Sequence, residues 1–232
     1  MYIEIKNYTK KIKGVNVLEN INLRFENGRI YGLKGKNGSG KTMLMRAICG
    51  LILPTEGFVD IDGEILGKDI SFPKSIGALI ETPSFIPNYS GFKNLKVISM
   101  ISNKISEEKI IQTISKVGLD PYDKKAYKKY SLGMKQRLGI ACAIMEDPDI
   151  VVLDEPINAL DEKGVLLVRD ILYECKKQNS IIIIACHDRD ELELLSDEII
   201  SLENGKVTDQ IVIKPAECED SEGKKDEIFK NH

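Results

Sequence analysis

Short apolar runs bounded by turn residues recur at Ile30–Leu33, Ile76–Ile80, Ile150–Leu153 and Ile181–Ala185. Runs this short, without polar alternation, are the mark of strands buried on both faces. Between and after the last two lie helical stretches, Glu162 to Gln178 and Asp190 to Leu195, so the C-terminal half reads as α/β. The first 33 residues read as strands. Asn27-Gly28, between Ile21–Phe25 and Ile30–Leu33, is a hairpin signal, as are Asp62-Gly63 before Glu64-Ile65 and Asn204-Gly205 before Val207. Met43 to Cys49 reads as a helix closed by Gly50, with Pro54 beyond it. From Phe92 to about Met145 the period turns mostly helical. Leu95, Ile98 and Ile101 are expected on one face, and Ile110, Ile111, Ile114 and Val117 on another, with Gly118 closing that second helix.

Composition narrows the class. The chain has 232 residues, 42% of them hydrophobic, enough for one large core with a subdomain. A net charge of −3 argues against a nucleic-acid partner, which usually meets a basic surface. Strictly apolar runs reach only six residues, as in Ile181–Cys186, well short of the ~18 that a membrane span requires. The alternating start, Met1-Tyr2-Ile3-Glu4, leads us to expect no secretory signal and a cytoplasmic protein. The five cysteines form no C-x-x-C pair and read as small buried hydrophobes. Lys124, Lys125, Lys128 and Lys129 form a basic cluster, read as a solvated face, the alternative being electrostatic attraction of a nucleotide or an acidic partner surface. Beyond Pro215 the chain becomes acidic and polar, and residues 215–232 are expected to be a poorly ordered tail.

The chemistry begins at Gly35-Lys36-Asn37-Gly38-Ser39-Gly40-Lys41-Thr42, which fits G-x-x-x-x-G-K-[ST] between a predicted strand and a predicted helix. Gly35, Asn37, Gly38, Ser39 and Gly40 let successive backbone N–H groups turn inward on phosphate oxygens, and the following helix adds its positive end. Lys41 is expected to reach the β- and γ-phosphates, and the Thr42 hydroxyl to ligate Mg²⁺. Asp154-Glu155 follows the strand Ile150–Leu153. Carboxylates at the carboxyl end of a buried parallel strand face the ligand crevice. Asp154 is therefore expected to hold Mg²⁺, and Glu155 to polarise the attacking water as a general base. His187 follows Ile181–Ala185 in the same relative place, within reach of a γ-phosphate. Ser131 is a helix N-cap, and with Gly133 allowing close approach it makes a second anion site.

Together these residues resemble the nucleotide-binding subunit of ATP-binding-cassette (ABC) transporters. The phosphate loop, Ser131-Leu132-Gly133-Met134-Lys135-Gln136-Arg137, Asp154-Glu155-Pro156, Asn158-Ala159-Leu160-Asp161 and His187 occur in the family's order. The match spans roughly residues 1–210. The resemblance implies a P-loop core with a mixed central sheet, an N-terminal antiparallel β-subdomain and an inserted helical subdomain at about 84–146, within a domain of residues 1–214. It also implies a dimer, with itself or with a second ABC subunit, in which each ATP with its Mg²⁺ lies between one phosphate loop and the other subunit's Ser131 and Gly133. Asp161 would stand near that seam. A separate transmembrane permease would hold the pair at the inner face of the membrane. The other readings considered are a soluble ABC-type ATPase without a transporter and a non-hydrolysing regulator.

Three positions depart from the family pattern. Glu81 stands where Gln is usual; it keeps an oxygen for Mg²⁺ but adds negative charge. The signature reads Tyr130-Ser131-Leu132-Gly133-Met134 instead of Leu-Ser-Gly-Gly-Gln. Ile12 falls where an aromatic ring usually stacks on adenine, while Tyr8 nearby aligns with a core position. Glu81 together with Ser-Leu-Gly-Met-Lys-Gln resembles the branch of exporters conferring resistance to bacitracin-type and lantibiotic peptides.

Overall fold

The computed structural model describes residues 1–213, so the expectation for residues 215–232 falls outside the described part. An N-terminal antiparallel sheet comes first. Strands β1 (Tyr2–Ile12) and β2 (Val15–Glu26) are joined at Lys13-Gly14, both with positive φ. β3 (Arg29–Lys34) leaves that sheet and leads through the phosphate loop into helix α1 (Lys41–Ile48). β4 (Glu56–Ile61) and β5 (Glu64–Ile65) then complete the first sheet in the order β2-β1-β4-β5. β6 (Ile76–Leu79) precedes the helical stretch, made of α2 (Gly91–Ser102), α3 (Glu107–Lys116) and α4 (Leu132–Ile144). The chain finishes with β7 (Ile150–Asp154), α5 (Glu162–Lys177), β8 (Ile181–Ala185), α6 (Arg189–Leu195), β9 (Glu198–Glu203) and β10 (Lys206–Val212).

The central sheet runs β10-β9-β3-β8-β7-β6, parallel except for the β9–β10 hairpin. Its middle strands β7 and β8 are buried at every residue, as their unbroken apolar runs require. One apolar core joins this sheet to α4, α5 and the helical stretch; the other joins its opposite face to α1 and the N-terminal sheet. Tyr8 lies fully buried in the second, its hydroxyl donating to the Ile52 carbonyl.

Two expectations are corrected. Asn27-Gly28 does not close a hairpin: β2 and β3 belong to different sheets, and the turn carries the chain between layers. The residues do suit a turn, but pairing is decided by which buried face each strand presents. Ile101 does not share a buried face with Leu95 and Ile98. It is 85% exposed, near the end of α2, where nothing packs over it. The other two hairpins pair as expected, and Gly118 has a positive φ just beyond α3.

One glycine predicts a stability effect. A Cβ at Gly77 in β6 would stand 1.6 Å from the Ala143 carbonyl oxygen of α4. Gly77→Ala must push that helix off the sheet, and overpacking of this kind costs about 1–3 kcal/mol. Urea denaturation should show a lower midpoint; an unchanged midpoint would mean that α4 gives way freely.

Candidate nucleotide site

The register of the central sheet builds the site. Leu33 of β3, Ala185 of β8 and Asp154 of β7 lie side by side, so three neighbouring parallel strands end at one level. The segments leaving those strands carry the phosphate loop, His187 and Glu155 to a single cleft of about 670 Å³. Asn37, Gly38, Ser39, Gly40, Lys41, Thr42, Asp154, Glu155 and His187 all line it. Gly38 and Gly40 have φ of 80° and 110°, the left-handed turns that aim consecutive amides inward. Gly35 lies behind the loop and contributes its carbonyl oxygen, which accepts from Lys41 Nζ at 2.6 Å. Lys41 also donates to the Lys36 carbonyl at 3.3 Å and is nearly buried. Its ammonium is thus held by the loop's own oxygens at the mouth of α1.

Thr42 Oγ1 donates to Asp154 Oδ2 at 2.8 Å. A hydroxyl and a carboxylate at that spacing are hard oxygen donors of the kind Mg²⁺ selects. Glu155 follows with φ of 51°. Its Oε2 accepts from the His187 backbone N–H at 3.2 Å, and its Oε1 stands 3.2 Å from His187 Nε2. Burial pushes the Glu155 carboxyl above its ordinary range, while the charge and the backbone N–H of His187 pull the other way.

Four sequence candidates lie elsewhere. Ser131 caps α4, its Oγ accepting from the Met134 N–H at 3.2 Å, and with Gly133 it sits at a helix N-terminus that does not line the cleft. Asp161 caps α5, accepting from the Gly164 N–H at 3.0 Å and from Arg137 Nη2 at 2.8 Å. Glu81 is also outside the lining, its Oε1 paired with Arg46 Nη2 of α1 at 2.7 Å.

Several contributors escaped the sequence reading. Val15, Asn16 and Val17 line the cleft mouth, whereas Ile12, the residue at the expected base position, does not. The Asn204-Gly205 turn also lines it, with the Gly205 N–H donating to the Ser39 carbonyl at 2.9 Å. Gln136 Nε2 donates to the Glu155 carbonyl at 2.9 Å. The local signals at two of them, a hairpin turn at Asn204-Gly205 and a signature position at Gln136, do not point to the cleft, because each residue gains its place there through a contact distant in sequence.

A phosphate loop after one parallel strand, with an acidic pair on another two strands away, defines a P-loop nucleotide triphosphatase. A model of the family described as "ABC transporter" matches residues 18–158. The chain is 53% identical to an uncharacterized ABC transporter ATP-binding protein, YybJ of Bacillus subtilis (strain 168), over 88% of this chain and 94% of that one. It is 38% identical to the bacitracin transport ATP-binding protein BcrA of Enterococcus faecalis, over 91% of this chain and 69% of BcrA. A solved ATP-binding subunit of an ABC transporter superposes with a TM-score of 0.83 at 25% identity, over 92% of this chain and 90% of that one. The chain belongs to the ABC transporter family, as one of its ATP-binding, ATP-hydrolysing cassettes.

Proposed function

We propose that this chain powers a peptide-antibiotic exporter of the bacitracin or lantibiotic type. Two copies, or this copy and a second ABC subunit, close head to tail around ATP and drive a separate transmembrane permease. The observation that carries the dimer is the position of Ser131 and Gly133. They form a capped helix N-terminus suited to an anion, yet they lie outside the cleft holding the phosphate loop. A second copy brings such a helix end to the first copy's nucleotide. The cargo class is supported by the similarity to a bacitracin transport protein.

In this reading the loop amides and Lys41 hold the phosphates. Glu155 takes a proton from the water that attacks the γ-phosphorus as the bond to the bridging oxygen breaks, and His187 steadies Glu155 and the γ-phosphate. Thr42 and Asp154 would hold Mg²⁺, which when bound offsets phosphate charge. Glu81, the third candidate oxygen, would have to leave Arg46 to join them.

No helix among the described residues is long and apolar enough to cross a membrane, so transport requires the permease, which would hold the pair at the inner face of the membrane. An apolar groove of about 400 Å³, lined in part by Phe85, Ile86, Pro87, Val97 and Ile98, lies beside the Glu81 loop and suits such docking. Co-purification with a polytopic membrane protein, together with stimulation of ATP turnover by it, tests the reading. Failure of the chain to pair around ATP even with hydrolysis blocked and the permease supplied would sink it. Glu81→Gln removes the charge that holds Arg46. It is expected to change permease-stimulated turnover by about threefold or more, well beyond its effect on the isolated chain, since an exposed ion pair is worth up to ~1 kcal/mol. Equal stimulation in both forms would show that this loop does not carry the coupling.

A further inference from the structure

The turn after β7 is bound to α4 at three points. At its near end the Glu155 carbonyl accepts from Gln136 Nε2. In its middle, the Ala159 carbonyl lies so close to α4 that a Cβ on Gly133 would stand 3.0 Å from it. At its far end Asp161 accepts from Arg137. Consecutive residues of one helix therefore grip both ends of the segment that carries Glu155.

Glu155 needs such a grip. A glutamate with φ of 51° occupies a region that side chains with a Cβ disfavour, so the surrounding structure must hold it there. The conformation persists because the backbone on either side of the residue is fully bonded. The Glu155 N–H donates to the Ala185 carbonyl at 2.9 Å, and the Glu155 carbonyl accepts from the Asn158 N–H at 3.2 Å as well as from Gln136. The donor to that carbonyl from outside the turn is itself 91% buried, because Gln136 is only 9% exposed. Relaxing the backbone at Glu155 would swing the carboxylate away from His187, whose backbone N–H it accepts from.

We infer that Gln136 is a positioning residue for Glu155, fixing the backbone conformation that aims its carboxylate into the cleft. The amide suits the task. It donates without bringing a charge beside Asp154 and Glu155, and α4 is anchored along its length by the buried Leu138, Ile140 and Ala141. This inference rests on the ATPase reading in which Glu155 is the base.

The experiment uses the full chain with Mg²⁺ and ATP, and compares Gln136→Met, which keeps length and loses the donor, with Gln136→Glu, which keeps shape. A lost hydrogen bond that misplaces a base predicts a kcat about tenfold lower in both; in Gln136→Met the KM for ATP should stay within about twofold of the parent and the thermal midpoint should fall by only about 2–4 °C. The discriminating arm is the Glu155→Gln background. A residue that acts only through the Glu155 carboxylate has nothing left to position there, so adding Gln136→Met should change the residual rate by less than about twofold. An equal loss in both backgrounds, a raised KM at constant kcat, or parental turnover in both Gln136 variants would overturn the inference. Parental turnover in Glu155→Gln alone would remove the underlying reading as well, so the two failures are told apart.

Discussion

Glu155→Gln is expected to lower ATP turnover by about 100-fold or more, while ATP binds within about threefold of the parent and the ATP-bound pair accumulates. The amide keeps the size of the carboxylate and can still accept from the His187 N–H, so the 3.2 Å contact that places it survives. What disappears is the ability to take a proton from water, and general bases contribute about 10²–10⁴ in rate. Single-turnover kinetics and size-exclusion chromatography with ATP check both halves. Hydrolysis at the parental rate would show that the base is another group. The pH dependence has a definite sign. Burial raises the Glu155 carboxyl above its ordinary range, and only the ionised form accepts a proton. Turnover in the parent should therefore decline, as pH falls, earlier than an exposed glutamate would dictate, and that acid limb should vanish in Glu155→Gln.

Lys41→Ala is expected to weaken ATP binding by about 100-fold. Lys41 is nearly buried, and its ammonium already donates to the Gly35 and Lys36 carbonyls, at 2.6 and 3.3 Å. It needs no large movement to meet a β- or γ-phosphate at the mouth of α1. A charge-assisted hydrogen bond is worth about 1.5–3 kcal/mol, and each 1.4 kcal/mol is a factor of ten in affinity. Isothermal titration with ATP under conditions that prevent hydrolysis measures the loss. Undiminished affinity would dissociate the loop from phosphate binding.

The parts that could be read from the chain are those whose cause is local. The glycine spacing of the phosphate loop, the Ser131 cap, and the buried runs of β7 and β8 each depend on a few adjacent residues, and each stands where it was expected. Local chemistry misled where an outcome depended on a partner elsewhere. Asn27-Gly28 has the residues of a hairpin, yet β3 pairs with β8 and β9. Ile101 has helical spacing, yet no neighbour covers it. Glu81 was expected among oxygens facing a metal, and Arg46 holds it outside the cleft lining.

Residue order alone thus marked the candidate side chains for the chemistry, because loop curvature, helix capping and strand burial arise from interactions within a few positions. It did not settle their company. Gln136 beneath Glu155, Asn204-Gly205 against Ser39, and Val15 in place of Ile12 at the cleft mouth are products of packing. Those contacts join segments far apart along the chain, and they form only when whole apolar faces of sheet and helix are buried together. That burial is a sum over dozens of residues, and no short stretch of sequence records it.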